Sequence, residues 1–203
     1  MTRASLLWMD LEMTGLDPVK DRIMEVACIA TDWKLRPVAE FTAIVKVPNE
    51  IIKTRMVGDF WENNSDSYQA LVSQNPTGQS ATTVERELLD FIDTHFKKDV
   101  YLAGNSIHQD RKFIDHEWPK LSQRLHYRML DVSAWKIFFE NLFHCRFTKP
   151  EAHRALDDIR GSIEEFEFYL NFITPELRKK YLPQLESNSI SSKSVNQETS
   201  NDQ

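Results

Sequence analysis

Two cysteines in 203 residues are too few for a disulfide framework or for a set of thiolate ligands around structural zinc. Cys28 lies in an apolar run and Cys145 far along the chain in a loop-like stretch, so both are expected as reduced thiols of an intracellular protein. Long apolar runs are missing too. Nothing approaches the ~20 residues that cross a bilayer, so no membrane partner is expected. Met1 to Ser5 lead into a strand-like run without the pattern of a signal or transit segment, and the expectation is a cytoplasmic protein, with mitochondrial and nuclear destinations left open. Positive charge is not in excess: 25 Lys+Arg against 31 Asp+Glu give a net charge of −6. Affinity for long duplex nucleic acid comes largely from phosphate neutralisation and counterion release, so this composition argues against such a partner. No internal repeat is found.

What is present is a core-forming complement, 41% hydrophobic and 11% aromatic, on a length that fits one domain with an appendage. Three strand candidates open the chain, near Leu6 to Glu12, Ile23 to Thr31 and Phe41 to Val47. The turn signals Gly15-Leu16-Asp17-Pro18 and Asp32 to Pro37 separate them, which predicts an antiparallel meander. An irregular region containing Gly58-Asp59-Phe60-Trp61 runs to Gln79, with a short helix expected near Ser65 to Val72. Val84, Leu88, Leu89, Ile92 and Phe96 recur at helical spacing and predict a helix from about Thr83 to Phe96. Beyond it, Val100 to Ala103 reads as a buried strand, Asp110 to Trp118 as a helix stopped by Pro119, and Tyr127 to Val132 as a strand. Helices are expected again from about Ser133 to Phe143 and from Ala155 to about Phe172. A meander followed by alternating helix and strand makes an α/β fold, a mixed sheet flanked by helices. The domain is expected over residues 1–183, and the serine- and asparagine-rich stretch 184–203 as a disordered polar tail.

Asp10 and Glu12 close the apolar run Leu6-Leu7-Trp8-Met9, one residue apart. Side chains alternate faces along a strand, so both carboxylates aim at one point. Two acids on one face of a buried strand are costly unless something cationic neutralises them, and hard oxygen donors suit Mg²⁺ or Mn²⁺. Asp110 follows a Gly-Asn-Ser turn, and His153-Arg154-Ala155-Leu156-Asp157-Asp158 leads into the last long helix. Each has an ordinary reading when taken singly. Asp-x-Glu occurs on solvated strand ends, Asp110 suits a helix N-terminus, and His153 with its neighbouring acids suits a first helical turn. Together they point to two-metal phosphodiester hydrolysis.

Taken in order, five segments resemble the motifs of the DEDD exonuclease superfamily, histidine branch, and within it the oligoribonucleases. They are Trp8-Met9-Asp10-Leu11-Glu12-Met13-Thr14-Gly15-Leu16-Asp17-Pro18, Asp21-Arg22-Ile23, Gly104-Asn105-Ser106-Ile107-His108-Gln109-Asp110-Arg111, His126-Tyr127-Arg128-Met129-Leu130-Asp131-Val132-Ser133 and His153-Arg154-Ala155-Leu156-Asp157-Asp158-Ile159-Arg160. The resemblance spans about residues 5 to 173. It implies a ribonuclease-H-like fold, removal of nucleotides from the 3′ end of very short single-stranded RNA with two Mg²⁺ or Mn²⁺ ions, and a homodimer with shared active sites.

Carried over by motif, Asp10 bridges the two ions, Glu12 and Asp158 complete one site, and Asp110 helps to hold the other. His153 becomes the general base, a role that an imidazole with its ordinary pKa near ~6.5 suits at neutral pH. Asp157 is left out, because the position five residues after the histidine is Asp158. Leu16 and Trp61, large apolar groups expected at exposed places, match the positions that wedge and stack terminal bases. Ser106, Arg128 and Ser133 match ligands of a 5′ phosphate. His126, Tyr127 and Arg128 match groups that reach in from the partner subunit, with Tyr127 in the catalytic set. Asp66 and Ala134 depart from the family's usual histidine and threonine. Two other readings are a DNA-trimming exonuclease of the same superfamily and a catalytically silent nucleic-acid-binding module. The Gly-Asn-Ser-Ile and His-Tyr-Arg blocks favour an oligoribonuclease over the first. The presence of all four acids and the histidine opposes the second.

Overall fold

The apolar run that opens the chain becomes the centre of a sheet. In this computed structural model, which describes residues 3–148 and 155–173, β1 spans Ala4–Met13 and pairs antiparallel with β2 (Ile23–Thr31). β2 in turn pairs antiparallel with β3 (Pro37–Ile44), the meander expected from the two turn signals. On its other edge β1 pairs parallel with β4 (Phe96–Gly104), and β4 pairs parallel with β5 (Met129–Asp131). The sheet is therefore mixed, in the order β3-β2-β1-β4-β5.

Helices cover both faces of β1, which is why the strand is apolar on both sides down to its last turn. On one face Leu7, Met9 and Leu11 pack with Val84, Leu88 and Ile92 of α4 (Ala81–His95), with Phe113 and Ile114 of α5 (His108–Glu117) and with Leu121 of α6 (Pro119–Arg124). The spacing of four in α4 places its apolar residues on one stripe, and the Ser80 hydroxyl caps the helix by accepting from the Thr83 N–H at 3.2 Å. Glu85, buried on that stripe, accepts from the N–H groups of Lys120 and Leu121, two donors that the start of α6 leaves unpaired. On the other face, Trp8 meets the ring of Phe166 from α8 (Ala155–Leu170) at 6.0 Å between centroids. Trp135 of α7 (Val132–Phe143) packs edge-on to the same Phe166.

The backbone divides into two units, Met1–Phe166 and Glu167–Gln203, with the boundary inside α8. In the described part of the second unit, Phe168 contacts the rings of Tyr169 and Phe172. The expected tail, 184–203, lies outside the described residues. Among the described residues no helix is long and apolar enough to cross a membrane. Cys28 is buried in β2 and Cys145 partly buried after α7, both as free thiols.

Several boundaries differ from the sequence reading. β3 begins and ends earlier than Phe41 to Val47, because it closes a tight turn whose Asp32 carboxylate accepts from the N–H groups of Lys34 and Arg36. The region taken as irregular holds α1 (Asn49–Arg55) and α2 (Asp59–Asn63) ahead of α3 (Ser65–Gln74). Helices of five and seven residues are too short to show a period. Pro119 stops α5 and also starts α6, since a proline at the first helical position gives up no needed N–H.

Candidate metal centre

β1 outruns β4. The register pairs Trp8 with Ala103, and β4 ends at Gly104, so Asp10 to Met13 project past the carboxyl edge of the parallel half of the sheet. Gly104 marks that edge: a Cβ there would stand 2.9 Å from the Met9 carbonyl oxygen. Beyond it the Leu11 N–H, without a ladder partner on that side, donates to Asp110 Oδ1 at 2.9 Å. Asp110 thus reaches the strand from the first turn of α5 as a backbone staple, close enough for its charge to act on Glu12.

Asp10 and Glu12 continue the face of Trp8, the α8 face. α8 runs along that face, with Phe166 over Trp8 and Asp158 two turns nearer the helix start, where the two acids are. Ligand atoms of Asp10, Glu12 and Asp158 all lie within 4.8 Å of one another. Asn105, just after β4, donates to Ser162 Oγ at 3.0 Å and to Glu165 Oε2 at 2.9 Å, while Ser162 Oγ donates to the Asp158 carbonyl at 2.9 Å. These contacts fix α8 against the sheet at the height of the acids.

The electrostatics fit a divalent cation. Burial, then the carboxylates of Glu25, Asp158 and Asp110, push Glu12 up to about 7. Burial also pushes Asp110 up to about 7, with the Leu11 N–H acting against it and the Asp131 charge adding to it. Carboxylates crowded and desolvated in this way bind protons in the absence of a stronger cation. Four oxygen-donor side chains without thiolate or amide suit Mg²⁺ or Mn²⁺ by hardness.

The remaining expected residues are placed as follows. Leu16 is 71% exposed, as anticipated. Trp61 is not: expected at an exposed place, it is only 9% exposed, because α2 folds it into a cluster with Met24, Val47, Ile52, Met56 and Leu71, and Phe60 takes the solvent side. Ser106 and Ser133 come together, their hydroxyls 3.1 Å apart, and line a cavity of about 630 Å³ with Lys136 and Arg146. Ser106 holds a left-handed φ of 48°, stabilised where its N–H donates to Asp131 Oδ1 at 3.0 Å and Ser133 Oγ at 2.9 Å. His126 and Tyr127 lie elsewhere, in a depression lined by Lys97, Lys98 and Arg124. There Tyr127 stacks on His126 at 4.6 Å, with the Arg128 guanidinium 4.9 Å over its ring. His153 lies outside the described residues. Sequence reading missed Glu25, which sits opposite Glu12 in the β1–β2 ladder; a register shift between Glu12 and Met13 hides it, since regular counting from the Met13–Ile23 pair would place Met24 there.

Residues 7–166 match the family model for exonucleases. The curated relatives include the mitochondrial oligoribonuclease of Bos taurus, 35% identical over 87% of this chain and 78% of that protein, and that of Mus musculus, 37% identical over the same shares. The oligoribonuclease of Nitrosomonas europaea is 37% identical over 81% of this chain and 93% of its own length. The chain belongs to the oligoribonuclease family of exonucleases. Solved structures of exonuclease I share the fold: that from Methylocaldum szegediense aligns with a TM-score of 0.62 at 18% identity, over 86% of this chain and 42% of that one. Exonuclease I of E. coli, solved in complex with a dA13 oligonucleotide, aligns at 0.59 and 12% identity. This chain spans less than half the length of those exonuclease I chains, 42% in both of these pairs. The five-stranded mixed sheet with helices on both faces is thus a ribonuclease-H-like α/β fold.

Proposed function

We propose that the protein is a 3′-to-5′ exoribonuclease that degrades very short RNA, dinucleotides included, to mononucleotides by two-metal phosphodiester hydrolysis. The observation that carries this reading is the convergence of Asp10, Glu12 and Asp158 within 4.8 Å, with Asp110 bonded to the neighbouring Leu11 N–H. Asp10, Glu12 and Asp158 would hold one Mg²⁺ or Mn²⁺ ion, and Asp110 would help to hold a second. When bound, the ions supply charge neutralisation at the scissile phosphate and at the leaving 3′ oxygen.

The chain's own groups do the rest. His153, five residues before Asp158, takes the proton of the attacking water. Leu16, exposed on the turn after Glu12, wedges against the terminal base. Ser106 and Ser133 hold the 5′ phosphate through charge-assisted hydrogen bonds, together with Arg128 of the partner subunit, and a gripped 5′ end limits length. His126, Tyr127 and Arg128 complete the site of a partner subunit in a homodimer. Support for the dimer is the apolar surface that α7 leaves open, with Ile137, Phe138, Leu142 and Phe143 each more than half exposed.

One gel tests the reading: 5′-labelled RNAs of two, five and twenty nucleotides and matching DNAs, with Mn²⁺ or EDTA. The expected result is shortening from the 3′ end, fastest for the RNA dinucleotide and absent in EDTA. Turnover in EDTA, internal cleavage, or faster loss of DNA would overturn it. For the dimer, exchanging subunits between inactive Tyr127→Ala and Asp110→Ala proteins should restore about a quarter of wild-type activity, since half the dimers gain one intact site.

A further inference from the structure

A large apolar side chain that is 71% exposed on a turn needs something to hold it if it is to meet a ligand the same way each time. At Leu16 that something is an ion pair with a buried carboxylate. The base of the turn is closed by the Thr14 N–H donating to the Arg22 carbonyl and the Arg22 N–H donating to Thr14 Oγ, both at 3.0 Å. The interior is filled by the carboxylate of Asp21, which is 0% exposed. It accepts from residues on both sides of Leu16: from Thr14 Oγ at 3.1 Å and from the Asp17 N–H at 2.9 Å. The backbone wraps it so closely that a Cβ on Gly15 would lie 2.5 Å from Asp21 Oδ2, so glycine is the residue that fits.

The charge is met from another element. Arg55, at the end of α1, donates through Nε to Asp21 Oδ1 at 2.6 Å and through Nη2 to Oδ2 at 3.0 Å. This is the bidentate fork that fixes direction as well as distance. Ile52 and Met56, either side of Arg55, pack in the cluster that contains Trp61. One carboxylate therefore connects the turn carrying Leu16 to the helix whose packing places Trp61.

We propose that Asp21 and Arg55 are positioning residues for the terminal nucleobase: their ion pair sets where Leu16 stands relative to the Trp61 cluster, and through Leu16 it sets affinity for the shortest substrates. This rests on the functional reading above, in which Leu16 contacts that base. The contacts of the pair described above all lie in the Leu16 turn, so it acts on binding and not on the chemical step.

The test is a double-mutant cycle read in KM and kcat, with a 5′-phosphorylated RNA dinucleotide and Mn²⁺. Arg55→Gln and Asp21→Asn should each raise KM roughly ten-fold, with kcat within about two-fold of wild type, and Arg55→Lys should restore part of the loss. In a Leu16→Ala background the same substitutions should change KM by less than about two-fold, since the group they position is gone. Should Asp21→Asn fail to fold, Arg55→Gln carries the comparison, because its side chain is at the surface end of the pair. Equal KM effects with and without Leu16, or a loss confined to kcat, would overturn the positioning role while leaving the activity intact. A wild-type protein inactive on the dinucleotide would overturn the functional reading and this proposal with it.

Discussion

Two sets of carboxylates lie around the end of β1 and are handled in opposite ways. Asp21 is fully buried, and burial alone would raise it. Arg55, with the Asp17 N–H and the Thr14 hydroxyl, reverses that and holds it below the usual carboxylate range. Glu12 and Asp110 are pushed the other way, both to about 7, by burial and, at Glu12, by three further acids. A carboxylate that shapes a turn is supplied with a cation by the fold. The acids at the end of β1 are, on the proposed reading, gathered so that they take a cation from solution. The difference separates a structural acid from the proposed metal ligands on physical grounds, although Asp10, Glu12 and Asp21 are near neighbours in sequence.

The sharpest way to break the comparison is substitution. Asp10→Ala, Glu12→Ala, Asp110→Ala and Asp158→Ala should each lower turnover of an RNA dinucleotide by about 10³-fold or more in single-turnover assays, because each leaves an ion short of a ligand. Arg55→Gln at saturating substrate should retain most of it. Next in size is the stabilisation by metal: Mn²⁺ at about a hundred times its dissociation constant should raise unfolding free energy in urea by about 2.7 kcal/mol. That increment should vanish in Asp10→Ala and persist in Asp21→Asn. Asp21→Ala should cost about 2 kcal/mol with or without Mn²⁺, since it strands the buried donors of the Leu16 turn.

The smallest effect is in pH, and it has two signs. Asp21 has a folded pKa below its unfolded value near ~3.9, so its contribution is present above that pH and is lost as the solution is acidified through the folded pKa. Glu12 and Asp110 have folded pKa values near 7, above their unfolded values, so without metal the folded state holds protons that the unfolded chain has released. Their contribution is greatest below about pH 4 and declines as pH rises through 7. Thermal unfolding in EDTA from pH 3 to 8 should show a decline at both ends. Saturating Mn²⁺ should flatten the upper one only.

The sequence made the proposed metal ligands easier to find than the structural acid. Asp10 and Glu12 share a face by strand alternation alone, whereas Asp158 was legible only through the resemblance of the segment from His153 to Arg160 to a family motif, and α8 then brings it to them. The meander and the long helix α4 were legible because each repeats a period over enough residues to show it. What was hidden depended on pairing between distant elements. Arg55 meets Asp21 across 34 residues and sits on a helix of seven, too short to announce itself. Trp61 was expected in solvent because its surroundings looked irregular, yet α2 turns it into the satellite core. Glu25 needed the hairpin register before its place opposite Glu12 could be seen.

The measurement that bears most directly on this account is calorimetric titration of Mn²⁺ into the wild-type protein, Asp10→Ala and Asp21→Asn. Saturable binding in the wild type and in Asp21→Asn, and its loss in Asp10→Ala, is the predicted result. Binding to Asp10→Ala as tight as to the wild type would contradict it, because the acids at the end of β1 would then not be the cation's ligands.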